Sequence, residues 1–200
     1  MTDTYKYIDF WNAKYAAGHT PWDLGQVSRP VQRLVERHFP PAGRVVIPGA
    51  GRGYEAIYLA QRGYQVTAID YADEAVRHLR EEARRSGLSV DVQQRDMFEI
   101  PPDQRGAYDV LLEQTCFCAI NPRDWPKYEW MAGQLLKHGG RLLGVFMEVP
   151  FDKGPPFNCP PDAVRAMFPA QRWRLDGHAP VDPPESGRPG PEYYLRYTRL

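Results

Sequence analysis

Between Arg44 and Met147 short apolar runs alternate with amphipathic stretches, and that alternation leaves few architectures open. Arg44 to Ile47 is apolar and partly β-branched, Tyr54 to Arg62 has helical character and closes on Gly63, and Gln65 to Ile69 is a second strand ending at Asp70. Asp73 to Ser86 puts Ala75, Val76, Leu79 and Ala83 on one face of a charged helix that closes on Gly87. Leu88 to Val92 and Tyr108 to Leu112 are the third and fourth strands, Trp125 to Lys137 a helix running to Gly139-Gly140, and Arg141 to Met147 a fifth strand. Strands separated by helices run parallel, with right-handed crossovers that cover both faces of the sheet. Upstream, Ser28 to Phe39 reads as a helix with Ser28 as N-cap, Pro30 in the first turn and Pro40-Pro41 as its stop.

After Met147 the pattern breaks. Eleven of the 20 prolines fall between Pro150 and Pro191, which makes 149–191 a loop-rich stretch with one short helix near Asp162 to Phe168. The runs 171–178 and 192–199 follow one another with no helix between them, the mark of an antiparallel pair at a sheet edge. At the other end, residues 1–27 carry Tyr5, Tyr7, Phe10, Trp11, Tyr15 and Trp22, a density of rings that needs a surface to pack on. A chain of 200 residues with 42% hydrophobic and 25% charged residues suits one domain spanning 1–200.

Composition removes several functions. Lys and Arg (25) cancel Asp and Glu (25), so no basic field draws in nucleic acid. No apolar run reaches the roughly 18 residues of a membrane span, and no basic-then-apolar leader opens the chain, so the expectation is a cytoplasmic protein without a membrane partner. Cys116, Cys118 and Cys159 are odd in number and lack metal-ligand spacing; neither a disulfide framework nor a metal is expected.

The first strand runs into Pro48-Gly49-Ala50-Gly51-Arg52-Gly53 and then a helix, the place where such a sheet lets a ligand approach main chain. A dinucleotide loop has the spacing G-x-G-x-x-G; here it is G-x-G-x-G, and Glu55 stands in the first helical turn, where it would repel a pyrophosphate. Asp70 ends the second strand about 20 residues on, the position from which a carboxylate accepts ribose hydroxyls. A nucleoside with a cationic or zwitterionic tail fits these two acids. Asp96 and Met97, after the third strand, fall over the same crevice, where a polar group meets an exocyclic amine and a thioether packs on a purine.

At this point a resemblance enters. Trp11, Lys14-Tyr15, Gly18 to Asp23, Ile47 to Glu55, Glu113 to Pro122 and Gly154 to Phe157 resemble, in order along nearly the whole chain, the thiopurine S-methyltransferase family, which includes halide and thiol methyltransferases. The resemblance implies an α/β, Rossmann-like class I methyltransferase fold, with a mostly parallel seven-stranded sheet and an antiparallel last strand pair. It implies S-adenosylmethionine as cofactor, S-adenosylhomocysteine as product, and direct in-line transfer of a methyl group to a small soft nucleophile such as a thiol, thiopurine, hydrosulfide or halide. Carried over by position, Trp11, Tyr15 and Trp22 form an aromatic lid, Gly49 and Gly51 underlie the methionine part, Asp70 holds ribose, and Asp96 with Met97 contacts adenine. Glu113 to Cys116 lie beside the transferred methyl. Thr115, Cys116, Phe117, Trp125, Tyr128 and Phe157 line the acceptor site, with Tyr128 the hydrogen-bond donor to an incoming anion; Trp125 offers an apolar wall where many relatives place Arg.

A soft nucleophile already carries charge or ionises near neutrality, so no catalytic triad is required, and no His stands near Cys116 to make it a nucleophile. His19 reads as a lid residue rather than a base, and Arg188 as either positive charge near the site mouth or a solvated loop residue. The expected partner is a small-molecule acceptor, bound by a monomer. Two alternatives stand beside this reading: a nicotinamide-dependent oxidoreductase on the same sheet, and a methyltransferase-like binding protein without turnover.

Overall fold

The alternating region folds as five parallel strands, β1 (Arg44–Pro48), β2 (Gln65–Asp70), β3 (Val90–Gln94), β4 (Tyr108–Gln114) and β5 (Leu136–Met147), in a computed structural model that describes residues 8–151, 153–185 and 187–200. Helices α1 (Ile8–Ala16) and α2 (Arg29–His38) precede the sheet; α3 (Tyr54–Ala60), α4 (Asp73–Arg85) and α5 (Trp125–Leu135) lie between strands, and α6 (Pro161–Ala166) follows. Two further strands, β6 (Trp173–Pro180) and β7 (Glu192–Arg199), pair antiparallel with each other, and β7 runs antiparallel to β5. The sheet order is β3-β2-β1-β4-β5-β7-β6, so the chain changes direction across the sheet between β1 and β4.

Each central strand is apolar on both faces and its residues divide by parity. Val45, Ile47, Val110 and Leu112 join Val31 and Leu34 of α2 and Leu59 of α3 in one core, while Val46, Leu111 and Phe146 join Met131 and Leu135 of α5 in the other. Ser28 caps α2 as its spacing predicts, its hydroxyl oxygen accepting from the Val31 N–H at 3.3 Å.

Two boundaries differ from the sequence reading. Leu88 does not begin the third strand, because its N–H closes the end of α4 on the Ala83 carbonyl at 2.9 Å; pairing starts at Val90. The fifth helix stops at Leu135, and Leu136 already pairs with Tyr108, so Gly139-Gly140 sits in an irregularity of β5 rather than at a helix end. A Cβ on Gly140 would lie 2.8 Å from the Lys137 carbonyl oxygen, which leaves room for glycine alone.

The aromatic N-terminal segment packs where α4 begins. Trp11, Tyr15 and Trp22 cluster on Ala72 and Ala75, and Asn12 fixes α1 there: its Oδ1 accepts the Asp73 N–H and its Nδ2 donates to Asp73 Oδ2, both at 2.8 Å. Tyr5 and Tyr7, part of the same expectation, lie outside the described residues. Among the described residues no helix is long and apolar enough to cross a membrane.

Candidate functional site

A cavity of about 840 Å³ opens at the carboxyl ends of β1, β2 and β4, where the strand order reverses, and α1 and the 19–26 segment roof it. Trp11, Tyr15, Trp22, Gly49, Gly51, Asp70, Asp96, Met97 and Thr115 all face this space, as do Cys116, His19 and Arg188. Glu113, Trp125 and Tyr128 do not.

The glycine loop is shaped from within. Ala50 N–H bonds to the Ile69 carbonyl at 3.0 Å, Gly51 N–H to Asp70 Oδ2 at 2.8 Å and Gly53 N–H to the Ala50 carbonyl at 3.0 Å, so these amides are consumed internally. Glu55 supplies the negative charge at the start of α3, its carboxylate accepting its own N–H and, at 3.2 Å, that of Ser28. Ala50, Gly51 and Gly53 therefore offer a pyrophosphate no free amide, and the Glu55 carboxylate at the start of α3 would repel one. Burial pushes the Glu55 carboxyl above its usual range. Gly49 is obligatory for a local reason: at φ +60° a Cβ would stand 2.6 Å from Cys116 Sγ.

Asp70 serves the turn and the cavity together. Oδ2 accepts Gly51 N–H, Oδ1 accepts Ala72 N–H at 2.9 Å, and the Tyr71 amide adds a third bond, which leaves acceptor capacity for about one further donor. Burial pushes its carboxyl up, opposed by those amides. Asp96 is held likewise, accepting the Phe98 N–H at 2.9 Å, and Met97 packs on Cys116 with its sulfur 3.8 Å away.

Ring contacts within the lid and two long-range contacts to the rest of the chain hold it. Trp22 meets Trp11 and Tyr15 edge-on with ring centroids 5.4 and 5.8 Å apart. Asp23 pairs with Arg52 of the glycine loop at 3.3 Å. Arg188, which the sequence left as mouth cation or solvated residue, is buried at 4% side-chain exposure and donates from Nη1 to the Trp22 carbonyl at 2.9 Å.

At the end of β4 the structure corrects three expectations. Glu113 is 1% exposed and touches no part of the cavity; Oε1 accepts the N–H groups of Cys116 (2.9 Å) and Phe117 (2.8 Å), and Oε2 accepts the Tyr128 hydroxyl. Tyr128, expected to donate to an incoming anion, is fully buried and donates to Glu113 instead. Trp125 lies behind Phe117, ring centroids 4.7 Å apart, with Nε1 donating to the Ile120 carbonyl, so it supports the wall without forming it. The common cause is the turn at Thr115, whose φ of +56° swings the chain so that Thr115 and Cys116 face the cavity while Phe117 plugs the core. Glu113 supports that turn by holding the next two amides. Burial raises its carboxyl to about 7, against which the Phe117 amide, Tyr128 and the Cys116 amide work. Phe117 and Phe157 also stay off the main cavity; Phe157 N–H ties its loop to the Cys118 carbonyl at 2.7 Å. Cys116 and Cys118 reach the cavity with thiols pushed up by burial first and the Glu113 charge second, which disfavours the thiolate a nucleophile needs.

Sequence reasoning passed over Glu192 and named Gln114 only within the run Glu113 to Cys116. Gln114 lines the cavity beside Thr115; Glu192, at 2% side-chain exposure, pairs with Arg188 Nε at 3.3 Å. Glu192 directly follows Pro191, and its partner Arg188 stands only four residues before it, but nothing in the residue types signals that both side chains are buried. Among the described residues no group of three or more His, Cys, Asp or Glu is placed to hold a metal.

Residues 7–187 match the sequence pattern of the thiopurine S-methyltransferase family. A probable thiol methyltransferase 2 of Arabidopsis thaliana is 32% identical over 154 residues, 74% of this chain; the chain spans 66% of that protein's length. A thiopurine S-methyltransferase of Xanthobacter autotrophicus is 26% identical over 180 residues, covering 80% of this chain and 83% of the relative. The solved 1,6-didemethyltoxoflavin-N1-methyltransferase of Burkholderia thailandensis superimposes with a TM-score of 0.77 at 20% identity, covering 96% of this chain and 87% of that one, and shares the fold.

Proposed function

Because the chain belongs to the thiopurine S-methyltransferase family, we propose that it transfers the methyl group of S-adenosylmethionine to a small soft nucleophile, a thiol above all, by direct in-line displacement. The observation that carries this reading is the glycine loop with the amides of Ala50, Gly51 and Gly53 turned inward, beside Asp70 and Glu55 and beneath three aromatic rings. Such a site suits a ligand with no phosphates, a ribose to meet Asp70 and a cationic centre to meet rings and carboxylates.

When bound, the cofactor supplies a methyl group made electrophilic by a sulfonium. The protein's residues do the rest. Asp70 and Asp96 grip the polar groups of the nucleoside, Met97 packs on its base, and Gly49 and Gly51 admit the amino-acid portion close to main chain. Trp11, Tyr15 and Trp22 exclude water and present ring faces to positive charge. Thr115, Cys116, Cys118 and Met147 form the wall on the acceptor side. Alignment and water exclusion are sufficient chemistry here, because a thiolate needs no further activation. The described part of the N-terminal segment, residues 8–27, then acts as a lid within a single domain, and of the 149–191 stretch Phe151, Pro155, Pro156 and Gly187 to Pro189 line the cavity, while α6 and β6 lie outside its lining.

Calorimetric titration with S-adenosylhomocysteine and, separately, with NAD tests the reading. Saturable one-to-one binding of the first and none of the second is expected; the reverse would restore an oxidoreductase.

A further inference from the structure

Resting on that reading, we propose that Arg188 is a positioning residue that ties the lid over the cofactor to the acceptor side of the cavity, so that each bound ligand strengthens the hold on the other. The guanidinium is buried at 4% side-chain exposure and works in two directions. Nη1 donates to the Trp22 carbonyl at 2.9 Å, and Nε pairs at 3.3 Å with Glu192, itself 2% exposed. Glu192 opens β7 opposite Met147 of β5, and its carbonyl accepts the Val181 N–H at 2.9 Å, so this end of the bridge is fixed in the sheet. The other end is backbone of the lid, where the Trp22 ring meets Trp11 and Tyr15.

The stretch before Arg188 is anchored as well. Arg33 of α2 donates to the carbonyls of Asp182 (3.3 Å) and Pro183 (2.9 Å), and the Arg29 N–H donates to Glu185 Oε2 (2.7 Å). With its charge spent on Glu192 and Nη1 on main chain, Arg188 is a brace rather than a free cation for an acceptor.

Gly187 to Pro189 line the same cavity as Trp22 to Leu24. An acceptor packed against Gly187 to Pro189 therefore steadies the brace, the brace steadies Trp22, and the rings close on the cofactor. Linkage requires the reverse effect, of cofactor on acceptor, to have the same size. Two other fasteners of the lid do not reach this side. Asp23 pairs with Arg52 of the glycine loop at 3.3 Å, and Asn12 bonds Asp73 of α4 at 2.8 Å.

The test measures the dissociation constant of S-adenosylhomocysteine by calorimetry, alone and in excess iodide, an alkyl thiol or thiophenol. In wild type at least one of the three is expected to tighten it about tenfold. Arg188→Met should weaken S-adenosylhomocysteine itself and reduce that factor to less than about two, and Arg188→Lys should restore part of it. Glu192→Gln should lower the factor too, although Glu192 lies off the main cavity. Asn12→Ala is the control: it loosens the lid from α4, so it should weaken S-adenosylhomocysteine and leave the factor as in wild type. Stopped-flow tryptophan fluorescence, whose lid reporters are Trp11 and Trp22, supplies a measure without acceptor, and release of S-adenosylhomocysteine should quicken several-fold in Arg188→Met. No tightening by any of the three in wild type, a factor kept in Arg188→Met, unchanged release, or equal loss of the factor in Asn12→Ala each overturns the proposal. Urea titration reports the folding of each variant; should Arg188→Met not fold, Arg188→Lys and Glu192→Gln carry the same decision. Wild type that does not bind S-adenosylhomocysteine contradicts the methyl-transfer reading itself, and takes the brace with it.

Discussion

Asp70 and Glu113 end neighbouring parts of the same sheet and do the same mechanical work, each fastening the backbone of the turn that follows its strand, yet only one faces the cavity. Asp70 holds the amides of Gly51 and Ala72 and remains open to a ligand; Glu113 holds those of Cys116 and Phe117 and is sealed by Tyr128. A carboxylate at a strand's carboxyl end is thus not of itself a ligand contact. What the following turn does with its side chains decides: after β2 Tyr71 and Ala72 continue along the cavity wall, whereas after β4 the positive φ of Thr115 sends Phe117 into the core beside Glu113.

Removing each acid separates the two roles. Glu113→Ala leaves two amides and a phenol without an acceptor in the core, and should cost about 2–4 kcal/mol of unfolding free energy in urea titration, with Glu113→Gln costing less. Asp70→Ala should weaken S-adenosylhomocysteine at least tenfold in calorimetry, a charge-assisted contact being worth roughly 1.5–3 kcal/mol. If Glu113→Gln weakened that ligand as much as Asp70→Ala, the contrast between an open and a sealed carboxylate would collapse.

The pH dependence sharpens the same contrast. Burial raises the Glu113 carboxyl from 4.5 to about 7 in the folded protein, so the folded state holds this proton more tightly than the unfolded chain does. Its contribution to stability is therefore greatest below pH 4.5 and is lost as pH rises toward 7, at a slope of up to about 1.4 kcal/mol per pH unit. Relative to Glu113→Gln, wild type should lose about 1–3 kcal/mol across that window in urea titrations at several pH values; parallel curves would show that Glu113 does not titrate there. Smallest of all is Trp125→Phe. Losing the Nε1 bond to Ile120 should cost about 0.5–1.5 kcal/mol and leave the acceptor ranking as it is, because Trp125 stands behind the wall. A changed ranking would return Trp125 to the acceptor site.

The two sides of the cavity were unequally legible. On the β1–β2 side the signals are local: glycines where positive φ is needed, an acid at a strand end, a capped helix, each readable within ten residues. Even there the sequence put Glu55 in the first turn of α3 but did not show that the Ser28 amide, 27 residues away, holds it. On the β4 side the outcome depends on a left-handed Thr115, a conformation that residue type does not announce, and on partners such as Arg188 and Trp22, 166 residues apart. Tyr128 was misplaced for the same reason: its spacing puts it on α5, but only the packed structure shows that its hydroxyl points at Glu113 rather than at a ligand.

The central claim, methyl transfer to a soft nucleophile, is tested most directly by following S-adenosylhomocysteine formation from S-adenosylmethionine with iodide, thiocyanate, hydrosulfide, an alkyl thiol, an aryl thiol and a thiopurine in turn. The account predicts turnover with the sulfur acceptors. No product with any of the six, from folded protein that binds S-adenosylhomocysteine, would contradict it.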